Sequence, residues 1–196
     1  MHAETHEEAA PRRRTRRHDP NRRERIAEVA EELIAERGLE GLTHRAIAER
    51  ANVSLSSTTY HFADREALIH AALDRAADRF TAYVRQWAEE HAADTPAQLA
   101  QSLADGVLAY VHEGAARSSA VVEYELQLAA LRRPGLREAA SRSARASVEA
   151  MTPVVGPVTA ALIPPLMTGL CLQAMTSPVP PTREELLALL TQALTP

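Results

Sequence analysis

The sequence predicts an all-α fold of nine helices, and three observations carry that expectation. Apolar residues recur every three or four positions in one stretch after another. Residue types that cap helices, Thr43, Asp64, Thr95 and Thr182, stand just ahead of such stretches. Nothing alternates convincingly with period two, and no internal repeat of useful length is present.

Residues 1–18 are polar and unpatterned and are expected to form a mobile arm. Residues 12–25 hold eight arginines against Asp19 and Glu24, a local net charge of +6. Taken alone, such a run is as often a solvated tail as a contact surface. Asp19-Pro20 supplies a cap and first position for the first helix, and Gly38 supplies its end. Ile26, Val29, Ala30, Leu33 and Ile34 make its apolar stripe. Thr43 caps the second helix, which buries Ile47, Ala48 and Ala51 and breaks at Asn52-Val53.

The third helix is predicted from Ser54 or Ser56 to Tyr60. It carries five hydroxyl side chains, Ser54, Ser56, Ser57, Thr58 and Thr59, and closes in Tyr60-His61-Phe62. Two short helices joined by a tight turn, the second studded with small hydrogen-bonding groups, fit a helix-turn-helix whose second helix enters the DNA major groove. Small hydroxyls allow close approach to bases and phosphates, and they donate or accept as needed. Ahead of such a unit, Arg12, Arg13, Arg14, Arg16 and Arg17 are expected to lie on phosphates or reach a minor groove.

Asp64 caps a long fourth helix on which Ala76, Phe80, Val84 and Trp87 share a face. Thr95-Pro96-Ala97-Gln98 is a capping-box pattern opening the fifth, with Leu99, Leu103, Val107 and Tyr110 on its stripe. The sixth covers about 118–131. The seventh is predicted to start at Pro134 and run to about Met151. The eighth lies within 158–176, where Pro164-Pro165 must start or kink it. Thr182-Arg183-Glu184-Glu185 is a second capping box, opening the ninth with Leu186, Leu187, Leu189 and Leu190.

Composition narrows the function. A net charge of −4 excludes a wholly basic nucleic-acid coat, so DNA contact must come from a local patch; all 22 basic residues are arginine. The single Cys171 excludes an internal disulfide and a multi-cysteine metal site. The charged N-terminus lacks the apolar core of a signal peptide, and a reduced, cytoplasmic, nucleoid-associated protein is expected. No charged residue falls between Glu149 and Arg183, a stretch long enough to cross a bilayer. Pro153, Pro157, Pro164, Pro165, Pro178, Pro180 and Pro181 interrupt it, so packing against other helices or a second copy is the expected account. There is no GxSxG, HExxH, phosphate-binding glycine loop or CxxC, and His2, His6 and His18 match neither a metal cluster nor a triad. No enzyme activity, metal or cofactor is expected.

These residues stand in the register of a known family. Gly38, then Thr43, Arg45, Ile47 and Ala48, then Val53-Ser54, Tyr60-His61-Phe62 and Arg65-Glu66-Ala67-Leu68 resemble the TetR family of bacterial one-component transcriptional regulators. Residues 20–69 carry the resemblance strongly; Tyr124–Pro134 is similar to one branch of the family. The resemblance implies a nine-helix fold in which helices 1–3 bind DNA, helices 4–7 enclose a ligand pocket, and helices 8 and 9 pair with a second subunit. It also implies an arm at 1–18, a DNA-binding domain at 19–65 and a ligand-binding and dimerisation domain at 66–196. Thr43 and Tyr60 would touch phosphates with His61 beside them, while Arg45, Ser54, Ser56, Ser57 and Thr58 would face groove or backbone. Arg65 takes the place of a usual lysine, which keeps the charge and alters the geometry. The family often has Gly, Leu and Tyr where this chain has Ser56, Thr58 and Thr59.

Tyr83, Trp87, Tyr110, Glu123, Gln127, Met151, Met167 and Cys171 are the candidate pocket residues. Each has a plainer reading as helix packing, and the sequence does not say whether Glu123 or Gln127 turns into the cavity. The expected function is a dimeric repressor released from an inverted-repeat operator by a small lipophilic or aromatic effector. Two alternatives stay open: an effector-independent activator or architectural protein, and a helical ligand-binding module that does not bind DNA.

Overall fold

Cap chemistry and apolar spacing place the elements of the computed structural model, which describes residues 21–112 and 114–195. Among these residues there are nine α-helices and no strand: α1 (Arg22–Arg37), α2 (His44–Arg50), α3 (Leu55–His61), α4 (Arg65–Glu90), α5 (Pro96–Ala109), α6 (Ala115–Arg132), α7 (Arg137–Val155), α8 (Pro157–Thr176) and α9 (Arg183–Leu194). Thr43, Ser54 and Asp64 each accept from the backbone N–H three residues on, at 3.1, 3.2 and 2.8 Å. Thr95 with Gln98, and Thr182 with Glu185, form complete capping boxes. α1 follows Asn21, and the expected cap at Asp19-Pro20 lies outside the described residues. Gly38 ends α1 at φ 65°, and Asn52 makes the α2–α3 turn at φ 52°, a left-handed conformation that asparagine tolerates.

Four expected boundaries are corrected. α3 runs to His61 rather than Tyr60, because Phe62 and not Tyr60 plugs the core behind it. α6 begins at Ala115 rather than near 118. Pro134 opens a 3-10 turn, Pro134–Leu136, and α7 starts only at Arg137. α7 also continues past Met151 through Pro153 to Val155. A proline so near the end removes a single ladder bond, and Gly156 at φ 78° makes the stop.

Pro164 and Pro165 do not start α8; both lie inside it. Neither can donate to the carbonyl four residues back. Burial of Ala160 and Ile163 against neighbouring helices holds the segment helical through that loss. α8 has a mean hydropathy of 1.5 and is long and apolar enough to cross a membrane, yet only 28% of it is buried within the chain. Ala160, Ile163, Leu170, Cys171 and Ala174 pack inward, while Val158, Leu162 and Leu172 are left outside.

Two apolar cores result. One joins α1, α2 and the start of α4 to Val122, Leu126, Ala129 and Ala130 of α6 and to Leu136, Ala139 and Ala140 beyond it. The other joins α5, α8 and α9 around Leu99, Leu103, Ile163, Leu186 and Leu190. A cut at residue 65 therefore divides the chain but not the first core, because the second half of α6 packs beneath α1.

Candidate DNA-reading face and effector site

One side-chain pair links α2 to α3. The Thr58 hydroxyl donates to its own helix at Leu55 O, 2.8 Å away, so its oxygen must accept from His44 Nδ1 at 3.2 Å. Thr58 is fully buried, a correction to its expected place on the groove face. Its hydroxyl is spent on His44 and the helix backbone. Phe62 closes the unit from the other end, 2% exposed, with the Arg23 guanidinium 5.0 Å over its ring.

The outer face of α3 presents Leu55, Ser56, Thr59 and Tyr60. Ser54 caps the helix and lies 3.0 Å from the Ser56 hydroxyl. Ser57 is half-buried. Tyr60 is 84% exposed, with its ring edge-on to half-buried His61 at 5.1 Å. Thr43 is exposed at the start of α2; capping uses its oxygen as an acceptor and leaves the O–H able to donate outward. Arg45 is exposed one position into the helix.

Arg65 turns back on the chain. Its Nε donates to Leu42 O at 2.9 Å and its Nη2 to Leu39 O, so two of its nitrogens clamp the α1–α2 connection. The fork geometry of arginine permits what a lysine in this place could not do. Arg50 is likewise engaged, donating to both oxygens of Glu36 at 2.8 and 2.7 Å. The arm arginines Arg12, Arg13, Arg14, Arg16 and Arg17 lie outside the described residues.

Sequence reasoning missed Leu55, an apolar side chain 52% exposed at the first position of α3. Its signal was present: four residues ahead of Thr59 it falls on the same helix edge.

The second candidate site surrounds Cys171. The thiol is buried and pushed up to about 12, which makes it an inert packing group. Burial, then Tyr83 and Cys171, push the Tyr110 phenol up to about 12. Tyr124 is raised by burial above all, and then by Cys171, Tyr110 and Glu123. Tyr83 is raised by burial, Cys171 and Glu90, although 53% of its surface is exposed. Three phenols and a thiol, from α4, the residue that ends α5, α6 and α8, thus share one neighbourhood. Trp87 is half-buried and stacks on His91 at 4.4 Å; the imidazole also meets the Ser102 hydroxyl at 2.7 Å.

Glu123, rather than Gln127, is the polar group turned inward. Gln127 is exposed and donates to Glu123 Oε1 at 3.2 Å. Glu123 Oε2 is buried with no hydrogen-bond partner, and burial raises the carboxyl above its usual range. Ser143 Oγ on α7 is also buried, forms no well-aligned hydrogen bond, and lies near enough to Glu123 to offset part of that rise. Met151 is buried in the second core and Met167 packs against it, so both serve as packing for α8.

α6 ties the two regions together. The Tyr124 hydroxyl donates to Thr168 O at 2.8 Å, which fastens α6 to α8. Arg117 donates to Tyr110 O and Met175 O at 3.0 and 3.1 Å. On the opposite side of α6, Leu126, Ala129 and Ala130 sit in the core beneath α1, and Arg133 pairs with Glu66 at 2.9 Å. Arg75 and Arg79 of α4 both pair with buried Glu31 of α1, whose carboxyl burial still raises against their pull.

The family model described as bacterial regulatory proteins, tetR family, matches residues 26–72, and the model described as tetracyclin repressor-like, C-terminal domain, matches residues 94–196. A protein of Streptomyces coelicolor A3(2) described as a transcriptional regulator is 33% identical, with a TM-score of 0.76 over 90% of this chain and 100% of that one. The multidrug binding protein EbrR complexed with proflavin is 35% identical, with a TM-score of 0.68 over 88% of this chain and 99% of that one. EbrR is also similar in its complexes with ethidium and malachite green. An HTH-type transcriptional regulator from the region 5′ to dhlA of Xanthobacter autotrophicus is 44% identical over 52 residues, which span 26% of each chain.

Proposed function

This chain belongs to the tetR family of bacterial regulatory proteins, a DNA-binding transcriptional regulator and not an enzyme, and on that premise we propose a dimeric repressor released from its operator by a planar aromatic cation. The observation that carries the reading is the double engagement of α6. It holds an unpartnered buried carboxylate oxygen at Glu123 and, one turn further on, side chains seated in the core of the DNA-binding unit.

Two copies of α3 enter successive major grooves of an inverted repeat, about 34–36 Å apart or somewhat more. Thr43, Tyr60 and His61 hold phosphates with Arg45 and the arginine arm, and Ser54, Ser56 and Ser57 line the groove or its edge. Phosphate contacts set affinity and register, while the face of α3 sets sequence choice. α8 and α9 form the subunit contact. α8 carries no charged residue and leaves Val158, Leu162 and Leu172 exposed, and α9 leaves Leu189 exposed. The bound dimer blocks polymerase at the cytoplasmic chromosome.

Tyr83, Trp87, Tyr110 and Tyr124 offer ring faces, and Glu123 offers one desolvated negative charge. Together they suit a flat cation. The similarity to EbrR, seen with proflavin, ethidium and malachite green, supports that class. The ligand acts by binding the released state more tightly; moving 99:1 to 1:99 takes about 5.5 kcal/mol of differential affinity. The test is fluorescence anisotropy on an operator recovered from random duplexes, titrated with proflavin, ethidium and neutral sugars. Release by the dyes alone is expected. An operator that stays bound through the dye titrations, or is released by sugars, refutes the proposal.

A further inference from the structure

The outer face of α3 is hydroxyl-bearing except at one place. Leu55 stands at the first position of the helix, 52% exposed, between the short side chains of Ser54 and Ser56 and one turn ahead of Thr59. We propose that Leu55 is a specificity residue that reads the 5-methyl group of a pyrimidine, thymine in unmodified DNA, once in each half-site. The inference rests on the proposed role of α3 as the groove reader.

Single exposed leucines are ordinary on protein surfaces, so exposure alone decides nothing. Position decides here. Residues at the N-terminal end of a recognition helix are the ones that reach base edges. On that edge of α3 the neighbouring serines and Thr59 are short, so Leu55 projects furthest. It has no polar atom to offer, and the thymine methyl is the one apolar group that any base presents in the major groove. Against the other base edges, Leu55 would desolvate a donor or acceptor without replacing its hydrogen bond. The contact is therefore selective by attraction to the methyl and by penalty elsewhere.

The test uses the full chain and the operator selected from random duplexes. Each symmetric pair of thymines is replaced in turn by deoxyuridine, which removes the methyl and keeps every hydrogen-bonding group. At one symmetric pair the wild-type protein should lose about fourfold in affinity per half-site, roughly fifteenfold for both, the worth of one methyl-sized group taken out of water. The L55A protein should bind the thymine and deoxyuridine duplexes equally, with an unchanged melting temperature because the site is on the surface. Wild type indifferent to every replacement, or L55A as sensitive as wild type, overturns the assignment while leaving α3 as the reader. Failure of the protein to select any sequence removes the reading of α3 and this inference together.

Discussion

Replacing Glu123 with glutamine should make the ligand-free protein more stable and a worse receptor. Glutamine has nearly the same shape, so its oxygen can keep the 3.2 Å bond from Gln127. What changes is the atom at Oε2, now a buried carboxylate oxygen without a partner. Glutamine places an uncharged NH2 there, and a buried neutral amide costs less than a buried carboxylate oxygen, so the gain is about 1–2 kcal/mol. In a chain of 196 residues that corresponds to a rise in melting temperature of roughly 2–8 °C. The pH dependence has a definite sign. Burial raises this carboxyl in the folded state, so the folded protein holds the proton more tightly than the unfolded chain does. That contribution is complete below the unfolded carboxyl value of about 4.3 and is lost as pH rises through the folded value. The penalty on the wild type grows as pH rises through the folded value, and the glutamine variant has no such pH dependence. Urea unfolding at pH 7 and pH 4 should show a gain at pH 7 that shrinks toward zero at pH 4. Proflavin affinity should fall about tenfold or more, since a desolvated charge partner is gone. A gain of equal size at both pH values, or unchanged dye binding, would refute the reasoning.

Tyr60→Ala should weaken binding to operator and random DNA alike, because a phosphate contact carries no sequence information; anisotropy on both duplexes checks this, and loss of discrimination alone would mean Tyr60 reads bases. Deleting residues 1–18 should flatten the salt dependence of binding by a slope of about 0.9 for each arginine–phosphate contact removed, and an unchanged slope would mean the arm is idle. Leu162→Glu places a charge on the exposed apolar face of α8; sedimentation should show monomers, and operator affinity should collapse with the loss of two-site geometry. Thr58→Val keeps shape and burial but removes the acceptor for His44 Nδ1, so urea unfolding should register a loss of about 1–2 kcal/mol, whereas a neutral or stabilising result would show that the pair is not formed.

The helices were legible in the sequence because their signals are local. A cap and the N–H it serves lie three residues apart, as at Thr43, Thr95 and Thr182, and an apolar stripe repeats within a single turn. The register of Thr43 with Tyr60-His61-Phe62 announced the DNA-binding unit for the same reason. The sequence by itself determined the order of the helices and the kind of molecule. Tertiary structure alone decided which way the chemistry faces. Thr58 turns inward to His44, fourteen residues away, and Arg65 spends two nitrogens on carbonyls more than twenty residues back. Glu123 turns one carboxylate oxygen into the interior while Gln127, on the next turn of the same helix, stays exposed. Pro164 and Pro165 stay inside α8 because packing compensates their missing donors. Burial is set by what arrives from distant parts of the chain, and one helix's own spacing carries no record of its neighbours.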